Sequence, residues 1–145
     1  VSGAGDRDGL RAPLRFSPVY KTLVWGGQRI AGLRAGVPAG PVGEAWELAD
    51  HPDGMSVVAE GPLAGRTLNA LVGAAGRDLV GAGFAGTTFP LMVKLIDAAQ
   101  VLSVQVHPDD RLARELGVGD NGKTECWRVV ADGGVIYQGT KPAID

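Results

Sequence analysis

A mainly β fold with a few helices is predicted for this 145-residue chain by three observations. Residues 102–107 alternate apolar and polar side chains, and residues 122–130 are rich in β-branched and aromatic ones, the content of strands. Glycine (23 residues) and proline (9 residues) cut the remainder into short runs rather than long periodic ones. Helix-start chemistry followed by apolar residues three or four apart occurs in two places, after Thr67 and after Asp109 and Asp110.

Taken in order, residues 1–12 are almost devoid of apolar side chains and are expected to form a flexible tail, with one domain over 13–145. Leu14 to Phe16 and Thr22 to Trp25 read as short strands bounded by Ser17-Pro18 and Gly26-Gly27. A Gly- and Pro-rich stretch leads to Gly43-Glu44-Ala45-Trp46-Glu47-Leu48, a strand with Glu44 and Trp46 on one face. His51-Pro52-Asp53-Gly54 has the chemistry of a turn, which makes His51 a surface residue. Ser56 to Val58 is a further strand, and Thr67 caps a helix carrying Leu68, Leu71 and Val72 before glycines interrupt residues 73–86. The run from Pro90 to Ile96 is short and nearly all apolar, which predicts a strand buried on both faces. After the strand ending at His107, Pro108 stops the ladder, and Asp109 or Asp110 caps a helix in which Leu112 and Leu116 stack before Gly117 ends it. Asp132-Gly133-Gly134 is a hairpin signal between two β-rich runs.

The chain is long enough to bury a core, and 45% of its residues are hydrophobic. Fourteen basic against sixteen acidic residues, with no basic run interleaved with aromatics, argue against a nucleic-acid partner. No apolar run is long enough to span a bilayer and no secretory signal is legible, so the sequence reads as soluble and cytoplasmic without a membrane partner. The lone Cys126 fits a reducing compartment and is expected to be a small buried side chain.

The chemistry concentrates in the two strand-like stretches. In the first, Ser103, Gln105 and His107 form one row; alone, such a row is more often a solvated sheet face than a ligand set. The second places Lys123 and Glu125 on one face. If both faces meet in one sheet, nitrogen and oxygen donors converge beside a cation, as a metal-assisted site for an anionic substrate requires. Trp25 before two glycines reads from the residues as a core anchor. Glu44 beside Trp46 reads either as an exposed charge on a packed ring, the commoner case, or as a group that hydrogen-bonds sugar hydroxyls.

Several motifs in order, LRFSPVYK (14–21), LVWGG (23–27), GEAWE (43–47), FPLMVKLIDA (89–98), LSVQVHPDD (102–110), GKTECW (122–127) and GGVIYQG (133–139), resemble the type I mannose-6-phosphate isomerases, zinc enzymes of the cupin class. The resemblance implies a cupin-type jelly-roll barrel, of which this chain corresponds to the N-terminal half and is therefore incomplete. It implies one Zn2+ per chain held by Gln105, His107 and Glu125. It places Lys123, Glu44 and Ser103 in catalytic roles, and Trp25, Lys123 and Ser103 against a hexose 6-phosphate. Family members add a further histidine ligand and an arginine from chain beyond Gly139; His51 does not match that histidine. An incomplete barrel would also leave strand edges open to self-association.

Three functions follow as expectations. The first is a zinc-dependent aldose-ketose isomerase that interconverts mannose 6-phosphate and fructose 6-phosphate through an enediol, although this piece may lack activity by itself. The second is a non-catalytic partial cupin that binds metal or sugar. The third, the weakest, is a nucleotide site, because Gly117 to Thr124 satisfies the Walker A pattern. That pattern works only between a strand and a following helix, whereas here a helix precedes and a β-rich run follows.

Overall fold

A computed structural model of the chain describes residues 9–118, 121–131 and 133–136. It divides into two compact units, Val1–Ser103 and Val104–Asp145. Each unit is described by itself.

The described residues of the first unit form five strands. β1 (Phe16–Ser17) pairs antiparallel with β4 (Val57–Val58), while β2 (Val19–Gly27), β3 (Val42–Leu48) and β5 (Val93–Ile96) form an antiparallel sheet in the order β2-β3-β5. A 3-10 turn over Arg29–Gly32 follows β2 and buries Ile30. The helix α1 (Leu68–Val80) starts after Thr67 and buries Leu68, Leu71 and Val72, the three-and-four spacing of one helix face. Thr67 does not cap it with its side chain; the hydroxyl bonds Asn69 Oδ1 instead. The helix is interrupted at Ala75 (φ −138°, ψ 19°), between Gly73 and Gly76, as a kink between two helical pieces, and it stops at Gly81. The turn at His51 to Gly54 closes through Gly54 N donating to His51 O at 3.0 Å.

Two apolar clusters support this unit. Ile30, Val42 and Ala45 are buried with Tyr20, Val37 and Leu95 packed around them. Val58, Leu63 and Leu71 form the second, covered by Leu10, Leu14, Phe16 and Leu79. Residues 1–8 of the expected tail lie outside the described residues, and Leu10 packs on this second cluster.

Val42 and Ala45 are three residues apart, a spacing that strict alternation would send to opposite faces. The register explains how both reach one core: Lys21 faces Glu44 while Thr22 faces Val42, so Gly43 is an extra residue in β3. Such a bulge shifts the phase of the strand, returning Val42 to the core side and turning Gly43 and Glu44 away from it. The Trp25 ring then fills the space where a Gly43 side chain would stand, its Cζ3 atom 2.7 Å from the Cβ position.

Three expectations are corrected. The strand is β5 over Val93–Ile96, at the edge of the sheet among the described residues, and it is not buried on both faces: Val93 is half exposed and Leu91 and Met92 before it are exposed. Residues 102–107 and 122–130 form no strand, and Val104 and Val106 are 90% and 93% exposed. A strand needs a ladder partner, and among the described residues neither stretch has one; a single backbone bond, Lys123 N to Pro108 O at 3.0 Å, joins them. Cys126 is exposed rather than buried, and no second layer covers its segment among the described residues.

The second unit contains α2 (Asp110–Leu116), built as expected. Asp109 Oδ1 accepts from Leu112 N at 2.7 Å, and Gly117 ends the helix in the left-handed conformation at φ 63°. No helix follows the glycine-rich loop over residues 121–131, so the context of a phosphate-binding loop is missing. The expected hairpin includes Asp132, which lies outside the described residues; Gly133 and Gly134 both adopt positive φ.

Replacing Gly43 with Ala should cost about 1–3 kcal/mol of stability, because the new methyl meets the Trp25 ring. Urea denaturation measures it, and an unchanged midpoint would contradict the close packing of Trp25 on β3.

Candidate active site

His107, Lys123 and Glu125 come together within the second unit. The Lys123 Nζ atom stands 3.1 Å from His107 Nε2 and 3.0 Å from Glu125 Oε2. An ammonium has only protons to give, so in the Lys123 contact Nζ is the donor. His107 Nε2 is 3.6 Å from Glu125 Oε1. An imidazole nitrogen and a carboxylate thus stand beside one ammonium.

Glu125 titrates below its ordinary 4.5. Partial burial alone would raise it, but the hydrogen bonds from Trp127 and Lys123 and the positive charge of Lys123, with a smaller contribution from His107, outweigh that cost. The carboxylate therefore stays ionised at neutral pH. Trp127, two residues on, was not singled out from the sequence; its alternation with Glu125 was the available signal.

The donor set suits a borderline metal such as zinc. Ligands roughly 2.0–2.1 Å from a tetrahedral zinc stand roughly 3.3–3.5 Å apart, close to the spacing between His107 Nε2 and Glu125 Oε1. Imidazole binds metal in its neutral form, through a ring nitrogen that carries no proton. Gln105 lies two residues before His107 in the same unit and is exposed. Among the described residues no three His, Cys, Asp or Glu side chains group as a metal site.

Trp25, Glu44 and Ser103 belong to the first unit. Ser103 is exposed. Glu44 is held on two sides: Trp46 Nε1 donates to Oε2 at 2.6 Å and Lys94 Nζ to Oε1 at 2.9 Å. The Glu44 and Lys94 side chains are only 15% and 24% exposed, so this is a largely buried, fully engaged ion pair rather than a solvated surface charge. Lys21 adds a second ammonium, 4.3 Å from the centre of the Trp46 ring, and the edge of His51 meets that ring at 5.6 Å. With the β3 bulge, the Trp25 ring over Gly43 and the Glu44 carboxylate lie on the side of β3 away from the core. That arrangement disfavours the core-anchor reading of Trp25. Lys94 was missed from the sequence, although a single charge inside the apolar run PLMVKLI was its signal.

The class this defines is a β-rich protein with polar side chains and lysines gathered on sheet faces, and a His–Lys–Glu centre fit for a metal and an anionic substrate. The family model of the phosphomannose isomerase type I catalytic domain matches residues 14–125. Mannose-6-phosphate isomerase ManA of Bacillus subtilis is 43% identical over 128 residues, covering 86% of this chain and 40% of that protein. A mannose-6-phosphate isomerase of Streptococcus mutans is 43% identical over 132 residues, 88% of this chain and 41% of the relative. A crystal structure of the mannose 6-phosphate isomerase from Bacillus subtilis superposes with a TM-score of 0.65 at 38% identity, covering 77% of this chain and 35% of that one. The chain belongs to the type I phosphomannose isomerase family and shares its mainly β, cupin-type fold, with no closed barrel among the described residues. It spans about 40% of the length of the curated relatives it matches.

The carboxyl of Glu125 should titrate below 4.5 when followed by carbon NMR. Because the folded state depresses it, its contribution to stability is present above the ordinary value and is lost as pH falls through the folded one. Trp127→Phe, which removes the indole donor, should move the midpoint upward; a wild-type midpoint at or above 4.5 would contradict the cluster.

Proposed function

We propose that this chain supplies the metal-binding and charge-handling groups of a zinc-dependent isomerase that interconverts mannose 6-phosphate and fructose 6-phosphate through an enediol. The observation that carries the reading is the convergence of His107, Lys123 and Glu125 around one cationic position. Going from aldose to ketose, the C2 proton leaves and one is delivered to C1, while O2 loses its proton and O1 gains one.

Gln105, His107 and Glu125 would hold the zinc, one ion per chain. When bound, the ion supplies a positive centre that orients the sugar oxygens and stabilises the charge that develops on them. Lys123, whose ammonium stands 3.0 Å from Glu125, offsets oxyanion charge or receives the phosphate. Glu44, with its oxygens engaged by Lys94 and Trp46, suits orienting hydroxyls better than carrying a proton. Ser103 and Trp25 complete the proposed set, the first as a hydroxyl donor to the substrate and in the catalytic set, the second as a ring against the sugar. A cytoplasmic setting agrees with this reading, since an exposed Cys126 thiol stays reduced there.

A second reading, a non-catalytic module that binds metal or sugar, needs only the convergence of His107, Lys123 and Glu125 and no turnover. Self-association is part of that reading, because Val104, Val106 and Val129 stand exposed on segments that have no ladder partner among the described residues.

Metal analysis and an isomerase assay separate the two. The wild-type protein should carry about one zinc per chain, and His107→Ala should lose it. Turnover of mannose 6-phosphate supports the enzyme, and zinc without turnover supports the module. Full zinc content in His107→Ala would show that the ligand assignment is wrong.

A further inference from the structure

Two adjacent carboxylates after His107 have different tasks. Asp109 caps α2 through Leu112 N. Asp110, the first residue of the helix, reaches across to the other active segment, its Oδ1 accepting from Gly122 N at 2.9 Å. Beside it, Lys123 N donates to Pro108 O at 3.0 Å. The backbones are in direct contact there: a Cβ on Gly122 would stand 2.3 Å from Asp109 C and from Asp110 N, which no side chain permits. These bonds fall one and three residues beyond His107 on the first segment, and at Lys123 and the residue before it on the second. They matter because neither segment is held by a sheet.

We infer that Asp110 is a positioning residue for the His107, Lys123 and Glu125 centre, its bond to Gly122 N clamping residues 107–110 onto residues 122–125. This rests on the metal reading of that centre. A side chain that fixes the distance between two ligand-bearing segments does for a metal site what hydrogen-bonded outer partners do elsewhere, and losing such a partner costs roughly 10–100-fold in metal affinity. Substrate and metal need not touch Asp110 for this to hold. The neighbouring Asp109 cap leaves α2 anchored when the Asp110 bond is removed, so the two effects separate.

The test compares Asp110→Ala with Asp110→Asn, whose amide oxygen can still accept from Gly122 N. Two quantities are read in the full chain: zinc affinity, by competition with a chromophoric chelator, and hydrogen exchange at the Gly122 amide in metal-free protein. The clamp predicts a roughly 10–100-fold loss of zinc affinity and faster exchange in Asp110→Ala, with both restored to within about threefold by Asp110→Asn. Wild-type affinity and exchange in Asp110→Ala would overturn it, as would an Asp110→Asn protein as impaired as Asp110→Ala, which would assign the effect to charge. If the wild-type protein takes up no zinc, the metal reading fails and Gly122 exchange alone decides. Acceleration in Asp110→Ala rescued by Asp110→Asn then supports the clamp, and unchanged exchange overturns it.

Discussion

The ammonium of Lys123 between His107 Nε2 and a Glu125 oxygen is the contact on which the second unit depends. Neither segment that carries these groups has a ladder to hold it, and Ala113 is the one buried residue of the short helix between them. Order comes from polar contacts: the Asp109 cap, the Asp110 bond to Gly122, and the ion pair itself. A half-shielded carboxylate needs positive charge beside it, and Glu125 has the Lys123 ammonium at 3.0 Å. Lys123 supplies that charge here.

The first unit reaches its chemistry by another route. One extra residue, Gly43, changes the phase of β3, so that Val42 and Ala45 both enter the core while Glu44 turns outward near the Trp25 ring. Only glycine fits under that ring. The Glu44 and Lys94 pair, largely shielded from water, fixes a carboxylate on the sheet face at a cost in desolvation that a purely structural surface would avoid. Residues matched to the family thus sit on sites of local irregularity and buried charge, where physical chemistry alone would look for function.

Much of this was legible in the sequence, and what was not has a common cause. The capping of α2 by Asp109, its stop at Gly117, the α1 face of Leu68, Leu71 and Val72 and the turn at His51 are set by residues within a few positions, and each was readable. The ladder partners of residues 102–107 and 122–130 and the cover over Cys126 are set by distant chain, which periodicity does not report. The apolar run before Asp97 was misread as fully buried because composition counts side chains, not layers. Pairing of His107, Lys123 and Glu125 was inferred by imagining two strands in one sheet; the structure brings those three together with a single backbone bond and the Asp110 bridge. Val104 and Val106 alternate on a segment that has no ladder partner among the described residues.

The central claim is that imidazole, carboxylate and amide of this chain surround one metal ion. Zinc X-ray absorption on the metal-loaded protein tests it most directly. The account predicts a first shell of nitrogen and oxygen at about 2.0–2.1 Å with the outer-shell signature of one imidazole. Sulfur at about 2.3 Å, which would place the ion on Cys126, or a shell without imidazole would contradict it.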